Sequence, residues 1–276
     1  MKPTIVNAVL AVLILTLGCS KPVEDPGPVK KPTAYTKLFL KFTHNVNGVD
    51  LNATDTIIYE NLSGNIYSIK NLKYLISDVR LNNFNYDNYQ IGEWHLVDVK
   101  DESSLVFEVK DSIIFGDYAS VSLFVGFLEE QNKTGEYPEL DNLGWSWKPQ
   151  RGGGYYTLQA DGRFFSSNVD VIPDPFDIGL GGNKLVVTQS DSSYVANEIV
   201  ASLKSSGFTV PRGTPVVTIE IQMNVNKLFE STGGAPNFNL DTWPTGLEDN
   251  SAGSSALSGN ITAAFKLGEV TYGLPK

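Results

Sequence analysis

The chain has one cysteine, Cys19, and two histidines, His44 and His95, in 276 residues. A lone cysteine leaves no intrachain disulfide and excludes a zinc or iron–sulfur centre built on thiolates. Two histidines, both inside strand-like segments, leave little from which to build a Ser-His-Asp triad. Neither a G-x-S-x-G elbow nor an H-E-x-x-H helix occurs, so the sequence points away from a hydrolase and, more broadly, from an enzyme. Basic residues are also scarce. Against 31 Asp and Glu stand 21 Lys and Arg, a formal net charge of −10. Neutralising phosphates requires a basic face, so nucleic acid is not the expected partner.

Long apolar runs are missing except at the start. Lys2 supplies a small positive region, Ile5 to Leu17 is almost wholly apolar, and Thr16-Leu17-Gly18-Cys19 follows. Residues 1–18 read as a secretory signal, too short for a membrane span. Glycine before cysteine resembles a bacterial lipobox, in which Cys19 is lipidated and becomes the new N-terminus; a plain signal peptide or a membrane anchor is the alternative. Residues 19–34, rich in Pro and charge, cannot bury a core and read as a tether. Residues 35–276 then form one large domain.

That domain alternates. "KLFLKFTHNV" places Leu38, Leu40, Phe42, His44 and Val46 on one face. "YASVSLFVGF" groups Ala119, Val121, Leu123, Val125 and Phe127, with Tyr118 and Phe124 opposite. "VVTIEIQMNV" turns Val217, Ile219, Ile221, Met223 and Val225 inward. Half-apolar strands need covering, and the economical cover is a second sheet. The expected fold is all-β: a sandwich of two mainly antiparallel sheets with little helix. One helix is expected in "SYVANEIVASLKSSG", with Val195, Ile199, Val200 and Leu203 as its stripe and Gly207 as its stop; "SALSGNITAAFKLG" is a weaker candidate.

Loops account for several chemistry-bearing clusters. "GLGGNK", residues 179–184, lacks the strand-to-helix setting of a phosphate loop and reads as a turn. "NNFNYDNYQIGE", residues 82–93, lacks the closing glutamate of a calcium loop and reads as an Asn-rich hairpin loop. Asp170, Asp174 and Asp177 read as a solvated loop rather than a cation site. Trp145 and Trp147, in "LGWSWKPQRGGGYYTLQADGRF", project to one side of an extended segment. Three readings stand for them, in this order: a cap on the core, an exposed sugar-stacking platform, and a redox site in which an oxidised indole beside an imidazole ligates copper.

Five stretches in order carry a family resemblance: "LFLKFTHNVNGVDL", "YSIKNLKYLISDVRL", "GDYASVSLFVGF", the W-x-W segment above and "VTIEIQMNVNKLF". The chain resembles the MbnP-like family, methanobactin-associated copper-binding proteins that are often lipoproteins in Bacteroidetes-type bacteria. The resemblance implies a non-enzymatic β-sandwich, lipid-anchored through Cys19 on the periplasmic or cell-surface side of the outer membrane, that binds or handles copper. It also implies a partner, a di-haem cytochrome c peroxidase-like enzyme able to oxidise a family tryptophan to kynurenine. His44, in a matched stretch, and His95, outside the matched stretches but beside Trp94, are the candidate metal ligands, and Trp145 and Trp147 the redox or aromatic site. The chain departs from the family pattern at Gly179, where many members carry a histidine, and in "GNITAAF", which has none near it. For His44 a hydrogen-bonded strand histidine stands beside the ligand reading. The competing function is a surface lipoprotein that binds glycan or protein through aromatics, its metal site lost.

Overall fold

Alternating apolar and polar side chains impose extended backbone, and the computed structural model contains seventeen strands among its described residues. It describes residues 35–275 apart from 85–87, 167–171, 189–190, 204–206 and 232–236. Cys19, the signal segment, the tether and Asp170 lie outside the described residues. In chain order the strands are β1 (Tyr35–Val46), β2 (Val49–Asp50), β3 (Tyr59–Glu60), β4 (Ile66–Tyr67), β5 (Asn71–Asn83), β6 (Tyr89–Ile91), β7 (His95–Asp98), β8 (Val106–Ile114) and β9 (Gly116–Val125). Then come β10 (Tyr156–Phe165), β11 (Asp174–Gly181), β12 (Asn183–Val187), β13 (Ser192–Ala196), β14 (Ile199–Leu203), β15 (Phe208–Val210), β16 (Val216–Asn224) and β17 (Phe265–Thr271). Among the described residues the α-helices are α1 (Pro138–Asn142) and α2 (Ser251–Ala264).

A five-stranded sheet runs β17-β16-β1-β2, with β8 also on β1. A ten-stranded sheet runs β14-β9-β5-β10-β4-β3, with β6, β7, β11 and β15 added at its sides. The pairing of β1 with β16 is parallel, Leu38 opposite Val217 and His44 opposite Met223; the ladders of the large sheet are antiparallel. The fold is thus the expected all-β sandwich. Its main core holds Leu38, Leu40 and Phe42 from β1, Ile219, Ile221 and Met223 from β16, and Tyr74 and Ile76 from β5. A second, smaller cluster of Leu75, Phe127, Leu140, Trp145 and Tyr155 lies apart from it. Leu75 sits between Tyr74 and Ile76, so on a strand it faces the other way, and the second cluster covers the outer face of the large sheet.

Three expectations are corrected. The helix expected in residues 193–207 is replaced, among the described residues, by strands. β13 pairs with β12, and β14 pairs with β9, Ile199 opposite Val125 and Leu203 opposite Val121. Ile199, Ala201 and Leu203 are buried while Val195 and Val200 are exposed, so period two, not the helical stripe, is what the sheet uses. On β9, Tyr118 rather than Ala119 enters the core. Asn82 pairs with Ser120 and Asn83 with Tyr118, which leaves Ala119 as the extra residue of a bulge and exchanges the faces below it. The solvated loop expected at Asp174 and Asp177 is β11, paired to β10 with Asp177 opposite Asp161. The weaker helix candidate does form, as α2. The Asn250 side chain accepts from Gly253 N–H at its start, and Asn260 Nδ2 donates to the Leu228 carbonyl at 2.9 Å. "GLGGNK" spans the junction of β11 and β12, with Gly182 between them.

Candidate functional site

His44 and His95 reach the interface between the sheets from opposite sides. His44 projects from β1 and shares a hydrogen bond of 2.9 Å between its Nε2 and the Tyr74 hydroxyl of β5. Burial lowers its pKa to about 4, so near neutral pH the ring is uncharged. The same burial pushes the Tyr74 phenol well above its ordinary range, so that hydroxyl keeps its proton. His95 opens β7 and lies between Phe42 and Phe107, ring centroids 5.6 and 4.6 Å away and both stacked. Its Nε2–H donates to the Ser104 carbonyl at 2.6 Å, which leaves the lone pair on Nδ1. Burial lowers its pKa too, against the opposing pull of that bond. Both rings are therefore neutral imidazoles, the form that can ligate a metal.

The rings between them form a chain. Phe42 meets His95 on one side and Tyr74 on the other, at 6.3 Å, and Tyr74 meets His44 at 5.7 Å. Among the described residues no ring contact joins the two imidazoles, and no group of three or more His, Cys, Asp or Glu is placed to hold a metal. A soft donor does stand beside His44. Met223 is its register partner on β16 and is fully buried on the same face. Sequence inspection alone put Met223 inward but could not tell that a parallel neighbour would set it beside His44.

Trp145 and Trp147 lie elsewhere. Ser146 bridges Tyr155, Trp147 N–H donates to the Gly154 carbonyl, and Tyr156 N–H donates to the Trp145 carbonyl. That bridge sends both indoles to one side, against Tyr156 at 5.6 and 4.9 Å. Their N–H groups are satisfied internally, Trp145 by the Tyr156 carbonyl at 2.7 Å and Trp147 by the Arg151 carbonyl at 3.0 Å. They are 2% and 3% exposed, which removes the reading of an exposed sugar-stacking platform at these two residues. Gly152, Gly153 and Gly154 make the tight return possible. All three have positive φ, and a Cβ on Gly154 would collide with the Asn132 side chain, whose Oδ1 accepts from Tyr155 N–H.

The large sheet thus separates the two sets of candidates. The histidines face the main core beside Tyr74, whereas Trp145 belongs to the outer cluster with Leu75. Trp94 precedes His95 in sequence yet packs outward, on Phe127 and Tyr137. Trp243 lies against Phe238. No indole contacts an imidazole ring among the described residues.

The family model described as MbnP matches residues 35–245. Among solved structures the chain is similar to MbnP from Methylosinus trichosporium, with a TM-score of 0.49 and 12% identity over 85% of this chain and 99% of that one. No curated protein matches. The matched region ends before α2 and β17, although β17 completes the small sheet against β16.

Proposed function

The chain belongs to the MbnP family, and we propose from that premise that it is a non-enzymatic envelope protein, lipid-anchored through Cys19, that binds or hands on copper at His44. The observation that carries the reading is a part-buried imidazole kept neutral by its surroundings, bonded to Tyr74 and flanked in register by the Met223 thioether. A neutral imidazole and a thioether form a soft, low-coordinate donor pair, which suits cuprous rather than cupric ion. His95 is the second candidate ligand. Its Nε2–H bond to a backbone carbonyl is the arrangement that orients metal-bound histidines and leaves the other nitrogen to the metal. The envelope location, periplasmic or cell-surface side, follows from the signal segment and the anchor.

Competition for cuprous ion against a chromophoric chelator tests this, with paramagnetic resonance to detect any cupric species. The wild type should retain copper, His44→Ala should release it, and Met223→Leu, which keeps the buried volume, should weaken it. Absence of retained copper, or equal retention by wild type and His44→Ala, rejects the metal function. The partner proposed with this role is a di-haem cytochrome c peroxidase-like enzyme acting on an indole. Intact mass after incubation with such an enzyme should show oxidation of tryptophan, and an unchanged mass rejects that partner.

A further inference from the structure

The outer face of the large sheet carries a cleft of about 400 Å³ that the copper reading does not use. Its floor is the outward side of the β10–β11 ladder, where Gln159 pairs with Gly179 and Asp161 with Asp177. One wall is the Trp147–Lys148 segment and the other the loop at Thr245–Glu248. Lys148 Nζ and Glu248 Oε1, 2.7 Å apart, tie the walls together, and Asp177 N–H donates to the Pro244 carbonyl at 2.9 Å.

Four features of this cleft bear on what it can hold. Gly179 lets the Tyr156 ring lie close over the sheet, since a Cβ there would come to 3.0 Å from that ring. Tyr156 itself is half-buried and braced by both indoles, so it presents a rigid aromatic wall. Gln159 and Asp177 end in the cleft, and neither side chain has a hydrogen-bond partner among the described residues. Finally, partial burial, and after it the nearby carboxylates of Asp161 and Glu248, raise the pKa of Asp177.

Taken together these select a ligand class. Two carboxylates line the cleft, Glu248 paired with Lys148 and Asp177 unpaired, with Asp161 beside Asp177 in the ladder, and this balance disfavours phosphates, sulfates and uronic acids. A cation would leave the donors of Gln159, Thr245 and Lys148 unused, and no metal-holding group exists here among the described residues. A hydroxyl is both donor and acceptor, so a polyol can use the amide and the carboxylate together, while an aromatic wall covers the apolar face of a sugar ring. We propose that the cleft binds one neutral sugar residue, its ring against Tyr156, its hydroxyls donating to Asp177 and bonding both ways with Gln159. The site is independent of the copper reading and lies on the opposite face of the sheet from His44.

Saturation-transfer NMR and calorimetry test it on the full chain, with glucose, galactose, mannose and N-acetylglucosamine as probes and glucuronate and spermidine as controls. At least one neutral sugar should bind saturably and glucuronate should not. Asp177→Ala and Gln159→Ala, both at accessible positions, should each weaken that sugar about tenfold or more, the cost of leaving a hydroxyl unpaired, with near-ultraviolet circular dichroism unchanged. Copper retention should be the same in both variants. The proposal is overturned if no neutral sugar saturates, if the two variants bind as tightly as wild type, or if spermidine alone binds in an Asp177-dependent way.

Discussion

Acidification should destabilise the fold through His44, in a window set by its environment. The unfolded ring titrates near 6.5 and the folded one at about 4, because burial disfavours the charged form. Between these values the unfolded chain binds the proton and the native chain does not. The stability that depends on a neutral ring is therefore fully present above pH 6.5 and is lost as pH falls towards 4. At about 1.4 kcal/mol per pH unit the full interval is worth up to about 3 kcal/mol, and solvent screening at the half-buried ring reduces this to about 1–2 kcal/mol. The assay is urea unfolding of wild type and His44→Gln at pH 7, 6, 5 and 4. His95 and the carboxylates titrate alike in both proteins, so the difference between them isolates His44. The wild-type advantage should shrink across the window, and an NMR titration should show the His44 ring still neutral at pH 5. A difference in stability that does not change with pH, or a ring that titrates near 6.5, refutes the burial argument.

Three further outcomes follow from the packing around the indoles. Gly181→Ala would drive a Cβ into the Trp147 ring, which its bond to Arg151 and its contact with Tyr156 hold in place; thermal unfolding should show a loss of about 1–3 kcal/mol and tryptophan fluorescence should shift. Gly154→Ala combines a positive φ with a collision against Asn132, so a loss of about 1–3 kcal/mol is expected, read by urea unfolding. Trp145→Phe removes volume from the outer cluster and leaves the Tyr156 carbonyl without its donor, a cost of about 2–4 kcal/mol by the same measurement. The variant should leave the cuprous binding proposed at His44 unchanged, because the large sheet lies between the two sites.

How much of this was legible depended on how local the cause was. In β1 and β16 the alternation is uninterrupted, and the faces of Leu38, Phe42, Ile219 and Met223 were readable residue by residue. On β9 the same rule placed Ala119 inward, because a bulge is set by how β5 and β9 pair, and that pairing has no mark in the single strand. The segment 193–207 offered a helical stripe through Val195, Ile199 and Leu203 and also an alternation through Ile199, Ala201 and Leu203. Only the presence of β9 as a pairing partner chooses between them. Among site residues, His44 and His95 were found by their rarity, whereas Tyr74, Met223, Tyr156 and Asp177 are ordinary strand residues until the fold sets them beside something.

Alone, the amino-acid sequence determined that this would be a β-sandwich of the MbnP family: period-two patterning and ordered motifs are properties of neighbours along the chain. Which candidates share a space was decided only by the tertiary structure. It put Met223 beside His44 and the tryptophans across the sheet, because successive strand residues point to opposite faces and only pairing across strands decides what each face meets.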